Sequence, residues 1–320
     1  MGGWLVLERW ITPSLFERTA AQDEFSFMQQ PDSAEKIKRH RRTFITESDF
    51  HWLADNGVNA VRIPVGYWLF EADGPMEPCI LHLDWAVEMA EKYGLKVLID
   101  LHAVKGSQNG NDHSGQIGGA DWFKNEDYRY ETLEILKRIA SRYKHSPAVW
   151  GIELLNEPKM GLIRFFILKR FYTRAQQELI RVGRPGMHIV FSDGFVPKLF
   201  SGALKQSGDL PVAMDIHWYQ FEKTQLRKYF KKITKRSNEL RRLHSQQPVI
   251  IGEWSGMLSH KTLAGRSNQE QVLLQKQHIE QQLIAYNSAL GWFYWTYKTE
   301  GNGIWNFRHQ VESGNLLLSE

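Results

Sequence analysis

The chain has 320 residues, of which 42% are apolar and 24% charged, and a net charge of +4. That balance builds a core and excludes a disordered chain, and no apolar run approaches the roughly 18 residues of a membrane span. The single cysteine, Cys79, excludes an internal disulfide, and neither zinc-type Cys/His spacing nor a glycine-rich phosphate loop is present.

The opening residues, Met1 to Glu8, lack a basic segment and are too short in apolar residues for a signal peptide. The expectation leans to a cytoplasmic protein, or to one whose leader has been removed. Short apolar or β-branched runs then recur near residues 3–8, 58–64, 95–101, 148–155, 187–192, 212–217, 248–252 and 290–296. Helical stretches lie between them. Thr46-Glu47-Ser48-Asp49 reads as a capping box opening a helix through Phe50, Leu53 and Ala54. Residues 128–143 place Leu133, Leu136, Ile139, Ala140 and Tyr143 on one face. Residues 269–287 read as a late helix carrying Val272, Leu273, Ile279 and Leu283.

Eight strands alternating with helices imply a parallel sheet, and eight such units close into a single (β/α)8 TIM barrel. The whole chain, 1–320, reads as one catalytic barrel domain. Uninterrupted runs such as Val97-Leu98-Ile99 suit strands buried on both faces. Charge is uneven: residues 222–246 carry nine Lys/Arg against Glu222 and Glu239. This reads as a solvated helix face, or as a weak contact with an anionic surface. Twelve tryptophans exceed what a core requires, and some of those rings are expected to line an open cleft, where flat apolar faces with a polar rim suit sugars.

In an α/β barrel the chemistry collects where strands end. Here the runs end in Arg62, in Asp100-Leu101-His102, in Asn156-Glu157-Pro158, in Asp215-Ile216-His217-Trp218-Tyr219, in Glu253-Trp254 and in Tyr294-Trp295. Glu157 and Glu253 close the fourth and seventh runs, across the mouth from each other. Glycoside hydrolysis with retention needs two carboxyl groups ~5–5.5 Å apart, one nucleophilic and one protonating the leaving oxygen. Arg62 would keep one of them ionised, and aromatic packing would raise the pKa of the other. His102 and His217 read as hydrogen-bonding groups, and His102, Asp112, His113 and His217 lack the spacing of a metal site. Trp295, beside the carboxylates, reads as a sugar platform.

These residues resemble glycoside hydrolase family 5, in its exo-β-1,3-glucanase-like branch. The resemblance rests on Asn156-Glu157-Pro158 and Gly252-Glu253-Trp254, with Gly2-Gly3-Trp4-Leu5-Val6-Leu7-Glu8, Trp10 to Phe16, Val61 to Trp68, Gly106 to Gly110 and Trp295 to Glu300 in order. It implies Glu157 as acid/base, Glu253 as nucleophile and Asn156 on the 2-hydroxyl. Arg62 and Tyr219 would support the nucleophile, and His102, His217 and Trp295 would shape the reacting-sugar site. Glu8 would bind outer hydroxyls, and Trp305 would wall that pocket. The implied reaction releases glucose from β-glucans or β-glucosides, β-1,3 or β-1,6 linked, by double displacement. The implied partner is that substrate, with no nucleic acid, cofactor or metal. An endo-β-1,4-glucanase or mannanase, a transglycosylase and a non-catalytic sugar-binding barrel are the alternatives.

The chain departs from this pattern in three places. The first strand of the family begins several residues ahead of Gly2, so strand one is expected to be short. Asn111 stands where one phenylalanine of an entrance pair is expected, and Gln220-Phe221-Glu222 shifts or lacks the second. β-1,3 preference therefore does not follow from the resemblance. The stretch 164–174, with Phe165, Phe166, Phe171 and Tyr172, reads as an amphipathic helix or as a replacement for that wall.

Overall fold

The computed structural model of the protein describes residues 1–220 and 226–318, except the side chains of 226–229. Seven parallel strands form one sheet in sequence order: β1 (Ala60–Gly66), β2 (Lys96–Ala103), β3 (Val149–Glu153), β4 (His188–Ser192), β5 (Val212–His217), β6 (Val249–Trp254) and β7 (Trp292–Tyr294). The longer helices are α1 (Ser33–Thr43) and α2 (Glu47–Asp55) ahead of β1, α3 (Ile80–Lys92) and α4 (Glu126–Arg142) around β2, and α5 (Leu162–Val182) after β3. A short turn, α6 (Pro197–Phe200), follows β4; α7 (Leu226–His244) follows β5 and α8 (Asn268–Tyr286) follows β6. This is the expected α/β barrel, with seven of the eight anticipated runs in strand form.

The exception is residues 3–8. They are buried but turn instead of extending, because Gly3 takes a left-handed φ of 72° that interrupts a strand. The segment still occupies the seam between β7 and β1. The Met1 nitrogen donates to Arg62 O at 2.6 Å, and Gly2 N donates to Thr296 Oγ1 at 2.9 Å. One bond to a backbone carbonyl and one to a side chain thus replace part of a strand ladder. A cavity of 310 Å³ lies at this seam, lined by residues of β1 and β7 and apart from the carboxylates of the mouth.

Three helical expectations can be compared. At α2, Thr46 N donates to Asp49 Oδ2 at 2.8 Å, which satisfies an amide the helix leaves unpaired. In α4, Leu133, Leu136, Ile139 and Ala140 are buried as expected. In α8, Ile279 is buried, but Val272 and Leu273 are exposed, and His278, Gln282, Ala285 and Tyr286 complete the inner face. Polar Gln282 lies inward because its amide donates to Ser255 O at 3.0 Å. Cys79 is buried, and burial pushes its thiol up to about 11.

Side chains two apart on a strand share a face. Leu98, Val190, Ala213 and Ile250 form an apolar plug inside the barrel. Two residues further along, Asp100 and Asp215 begin a polar layer, and two further still stand His102 and His217. Gly252 is what lets this layer close. A Cβ there would stand 1.9 Å from Asp215 Oδ2, and its N–H donates to Asp215 Oδ1 at 2.6 Å. Gly252→Ala is therefore expected to cost about 1–3 kcal/mol in denaturant unfolding and to displace Asp215. Unchanged stability and activity would refute this packing.

Candidate active site

The polar layer is organised by Arg62 on β1. Its Nε donates to Glu153 at 2.7 Å, one terminal nitrogen to Glu253 at 2.9 Å, and the other to Asn156 Oδ1 at 2.8 Å. Asp100 lies 3.1 Å away and Asp215 3.9 Å away. Burial disfavours the guanidinium charge, but Asp100, Glu153, Glu253 and Asp215 outweigh it, so Arg62 holds its proton more tightly than usual. Burial pushes Glu153 well above the usual carboxylate range, against the charge of Arg62. Asp100 is held below that range, against burial, by Arg62 and His102.

Glu253 ends β6. Its Oε1 accepts from Arg62 and its Oε2 accepts from the Tyr219 hydroxyl at 2.7 Å. Burial and the charge of Glu253 keep the Tyr219 phenol protonated well past its ordinary range, so it acts as a donor. Both oxygens of Glu253 thus meet donors, as an ionised carboxylate requires.

Glu157 follows β3 in a left-handed backbone conformation, φ 42°, uncommon for a residue with a side chain. The Asn109 amide donates to its carbonyl at 3.0 Å. His217 Nδ1 lies 2.7 Å from Glu157 Oε1 and 3.5 Å from Glu253 Oε2, so one imidazole bridges the two acids. Its Nε2 lies 3.3 Å from Asp215. Burial works against the His217 charge, but Glu253, Asp215 and the bonds to Asp215 and Glu157 raise its pKa well above normal. Burial would likewise raise Glu157, yet the bond from His217 and the charges of His217, His113 and His102 hold it at about 2. Where the sequence suggests aromatic packing around a raised carboxyl, the structure places imidazoles instead: His217 Nδ1 at one oxygen of Glu157 and His113 Nε2 3.4 Å from the other. One oxygen of Glu157, one oxygen of Glu253 and a nitrogen of His217 all lie within 4.8 Å of one another.

These groups face a cavity of 760 Å³ at the strand C-termini. Glu8, His102, Glu157, His217, Tyr219, Glu253, Trp295 and Trp305 line it, and Arg62 and Asn156 stand behind them. All ten anticipated residues are therefore brought together. Trp295 stacks on His102, 5.5 Å between centroids and 5° between planes, and His102 Nδ1 is fixed by Asp100 at 2.6 Å. Asn156 Oδ1 is taken by Arg62, while its Nδ2 lies 3.3 Å from His102 Nε2. The far wall is Glu8, Trp10 and Trp305. Trp10 Nε1 donates to Glu8 at 2.7 Å, and its ring meets Trp305 edge-on at 5.3 Å. Burial and the charge of Glu253 raise Glu8 well above its ordinary range, against the bond from Trp10.

Several groups were missed. Glu153, Asp193 and Phe195 are not among the sequence candidates, and Asp215 and Trp10 enter only as parts of motifs. The repeated Asp-x-His of residues 100–102 and 215–217 could have exposed the acid–imidazole pairs, because i and i+2 share a strand face. Residues 164–174 do not line the cavity; Phe195 and Pro197 do. The anticipated Phe221 and Glu222 lie outside the described residues. Among the described residues, Glu153, Asp215 and His217 form one further group at metal-ligand distances, with Arg62 already bonded to Glu153. The earlier foursome of His102, Asp112, His113 and His217 does not form one.

A model of the cellulase family, glycosyl hydrolase family 5, matches residues 22–301. The chain belongs to glycosyl hydrolase family 5. It is an O-glycosyl hydrolase, and hydrolysis in this family proceeds with retention. A probable glucan 1,3-β-glucosidase A of Aspergillus niger is 35% identical to this family-5 chain, covering 96% of it and 84% of the relative. One from Emericella nidulans is 35% identical, covering 98% and 88%. The solved rutinosidase of Aspergillus niger superposes with a TM-score of 0.85 at 20% identity, covering 98% and 96%, a likeness of fold.

Asp193 yields a test of pH. Burial raises its carboxyl to about 7, so the folded protein keeps a proton that the unfolded chain releases near pH 4. Stability is thus lost as pH rises through that window and stays lower above about 7. Asp193→Asn cannot ionise and keeps an acceptor for Phe195 N. Relative to the parent it should gain on the order of 2–4 kcal/mol between about pH 4 and pH 8. A difference that stays flat in unfolding curves across that range would contradict the assignment.

Proposed function

We propose that this family-5 hydrolase is a single-domain, exo-acting β-glucosidase that removes glucose from β-glucans or β-glucosides, with β-1,3 or β-1,6 linkages favoured. The observation that carries the reading is the Glu157–His217–Glu253 group, with its oxygens and nitrogen within 4.8 Å, a spacing suited to two carboxylates sharing one anomeric centre. The relatives named glucan 1,3-β-glucosidase support the linkage. The wall of Glu8, Trp10 and Trp305 supports a pocket that takes one terminal sugar.

In this reading Glu253 attacks the anomeric carbon as Glu157 gives a proton to the departing glycosidic oxygen, which leaves as an alcohol. A glucosyl ester on Glu253 results. Water then attacks the same carbon, Glu157 takes its proton, and Glu253 is released with the β configuration restored. The proton Glu157 needs is one hydrogen bond away on His217 Nδ1. As Glu253 becomes an ester it loses the charge that helps hold that proton on His217, so transfer toward Glu157 grows easier along the reaction. Asn156, its oxygen anchored by Arg62 and its NH2 group 3.3 Å from His102 Nε2, keeps a second N–H for the 2-hydroxyl.

Glu253→Ala should reduce turnover to background, with azide restoring an α-glucosyl azide. Glu157→Ala should retain glycosylation by aryl glucosides with acidic phenols, with azide giving the β product. Product NMR and burst kinetics check both outcomes, and an inverted anomer from the parent enzyme would refute the scheme. A panel of linkage-defined glucans separates the exo reading from endo cleavage of β-1,4-glucan or mannan and from glycosyl transfer to sugar acceptors.

A further inference from the structure

One flank of the mouth is both apolar and basic. Helix α5 begins just after Glu157, so its first turns stand at the rim of the cavity. There Leu162, Ile163 and Phe166 are 79%, 75% and 63% exposed, and their spacing puts them on one side of the helix. Inner-facing Phe165 packs on Phe200 of α6 at 5.1 Å, which ties α5 to the next rim element. On that element Leu199 is exposed, and just before it Phe195 is exposed, left-handed at φ 64°, and 6.4 Å from the ring of His217. Lone exposed apolar residues are ordinary; five on two adjoining elements, one of which lines the cavity through Phe195 and Pro197, are not.

The charge follows the same edge. Residues 159–174 hold five Lys/Arg and no carboxylate, and residues 230–246 hold six against one. Together they carry an excess of ten, so with a net charge of +4 the rest of the chain carries −6. Lys169 and Arg170 on α5, Lys198 on α6, and Lys231, Lys235, Arg241 and Arg242 on α7 are exposed. Lys198 reaches Glu239 of α7 at 3.8 Å, so the two elements are adjacent. A helix with Leu, Ile and Phe outward among cations suits the boundary of an anionic bilayer: the apolar side chains enter the acyl edge, and each nearby cation adds about 1 kcal/mol.

We propose that this flank docks the enzyme on an anionic lipid surface, so that an amphiphilic β-glucoside enters the cavity sugar first. Its apolar aglycone would remain against Phe195 and the α5 rim. The docking step stands on the surface alone; the choice of substrate rests on the β-glucosidase reading. Leu162, Ile163 and Phe166 take no part in the catalytic cavity, so replacing all three with Ser separates docking from chemistry.

The test uses the full-length enzyme and vesicles of phosphatidylcholine with or without phosphatidylserine. The parent should co-sediment with the anionic vesicles at low salt, weakly with the neutral ones, and less as salt rises. The triple variant should bind at least about tenfold more weakly. It should keep the parent's rate on a water-soluble aryl β-glucoside and lose rate on a long-chain alkyl β-glucoside carried in the vesicles. Failure of the parent to bind anionic vesicles at low salt would overturn docking. So would full binding by the triple variant, the pattern of a plain polyanion contact, which a heparin column would display equally. Vesicle binding by a parent that hydrolyses neither glucoside would overturn the substrate assignment and leave docking standing.

Discussion

A single buried guanidinium sets the geometry on which the site depends. Arg62 points from β1 into a layer containing Asp100, Glu153, Asp215 and Glu253, and its planar fork fixes where the oxygens of Glu153, Glu253 and Asn156 sit. Four acids could not share so small a dry volume without a cation, because removing one partner from a buried charge pair leaves an expensive unpaired ion. The layer resolves this in two ways. Arg62 supplies positive charge, and burial holds Glu153 above the usual carboxylate range, which favours its neutral form. A lysine would offer charge but not the flat array of donors that reaches three side chains at once.

A second cation completes the arrangement nearer the opening. His217 lies between Asp215, Glu157 and Glu253, and its tight hold on a proton follows from that company. The two principal acids therefore differ by partner. Glu253 is met by a guanidinium at 2.9 Å and a phenol at 2.7 Å, with the imidazole farther off at 3.5 Å. Glu157 is met by an imidazole, which can surrender a proton to it. Division of labour between two chemically identical side chains comes from these neighbours.

Much of this was legible in the amino-acid order because strands in a parallel barrel are apolar on both faces, so a polar residue at the end of a run has few places to point but the mouth. That logic located Arg62, His102, Asn156, Glu157, His217, Glu253 and Trp295. It failed where local composition misleads. Gly2-Gly3 permits a bend where Leu5-Val6-Leu7 suggests a strand. Val272 and Leu273 look like core but face outward, because α8 fills its inner face with His278, Ile279, Gln282 and Tyr286. The imidazole beside Glu157 is not legible locally, because His217 lies sixty positions away and no local pattern reports a contact between strands. Phe195 escaped notice for a similar reason: its place at the rim follows from a left-handed turn after Asp193 and Gly194, not from any run of apolar residues.

Four of the twelve tryptophans, Trp10, Trp218, Trp295 and Trp305, line the one cavity. Trp295 lies flat on an imidazole, and the Arg62 guanidinium carbon is 5.9 Å from its ring. Indole emission responds to local polarity and to quenching by such neighbours. A glucose unit that displaces water from the chamber must therefore alter the ultraviolet fluorescence of the protein itself, so occupancy is readable without a label, at equilibrium and in stopped flow.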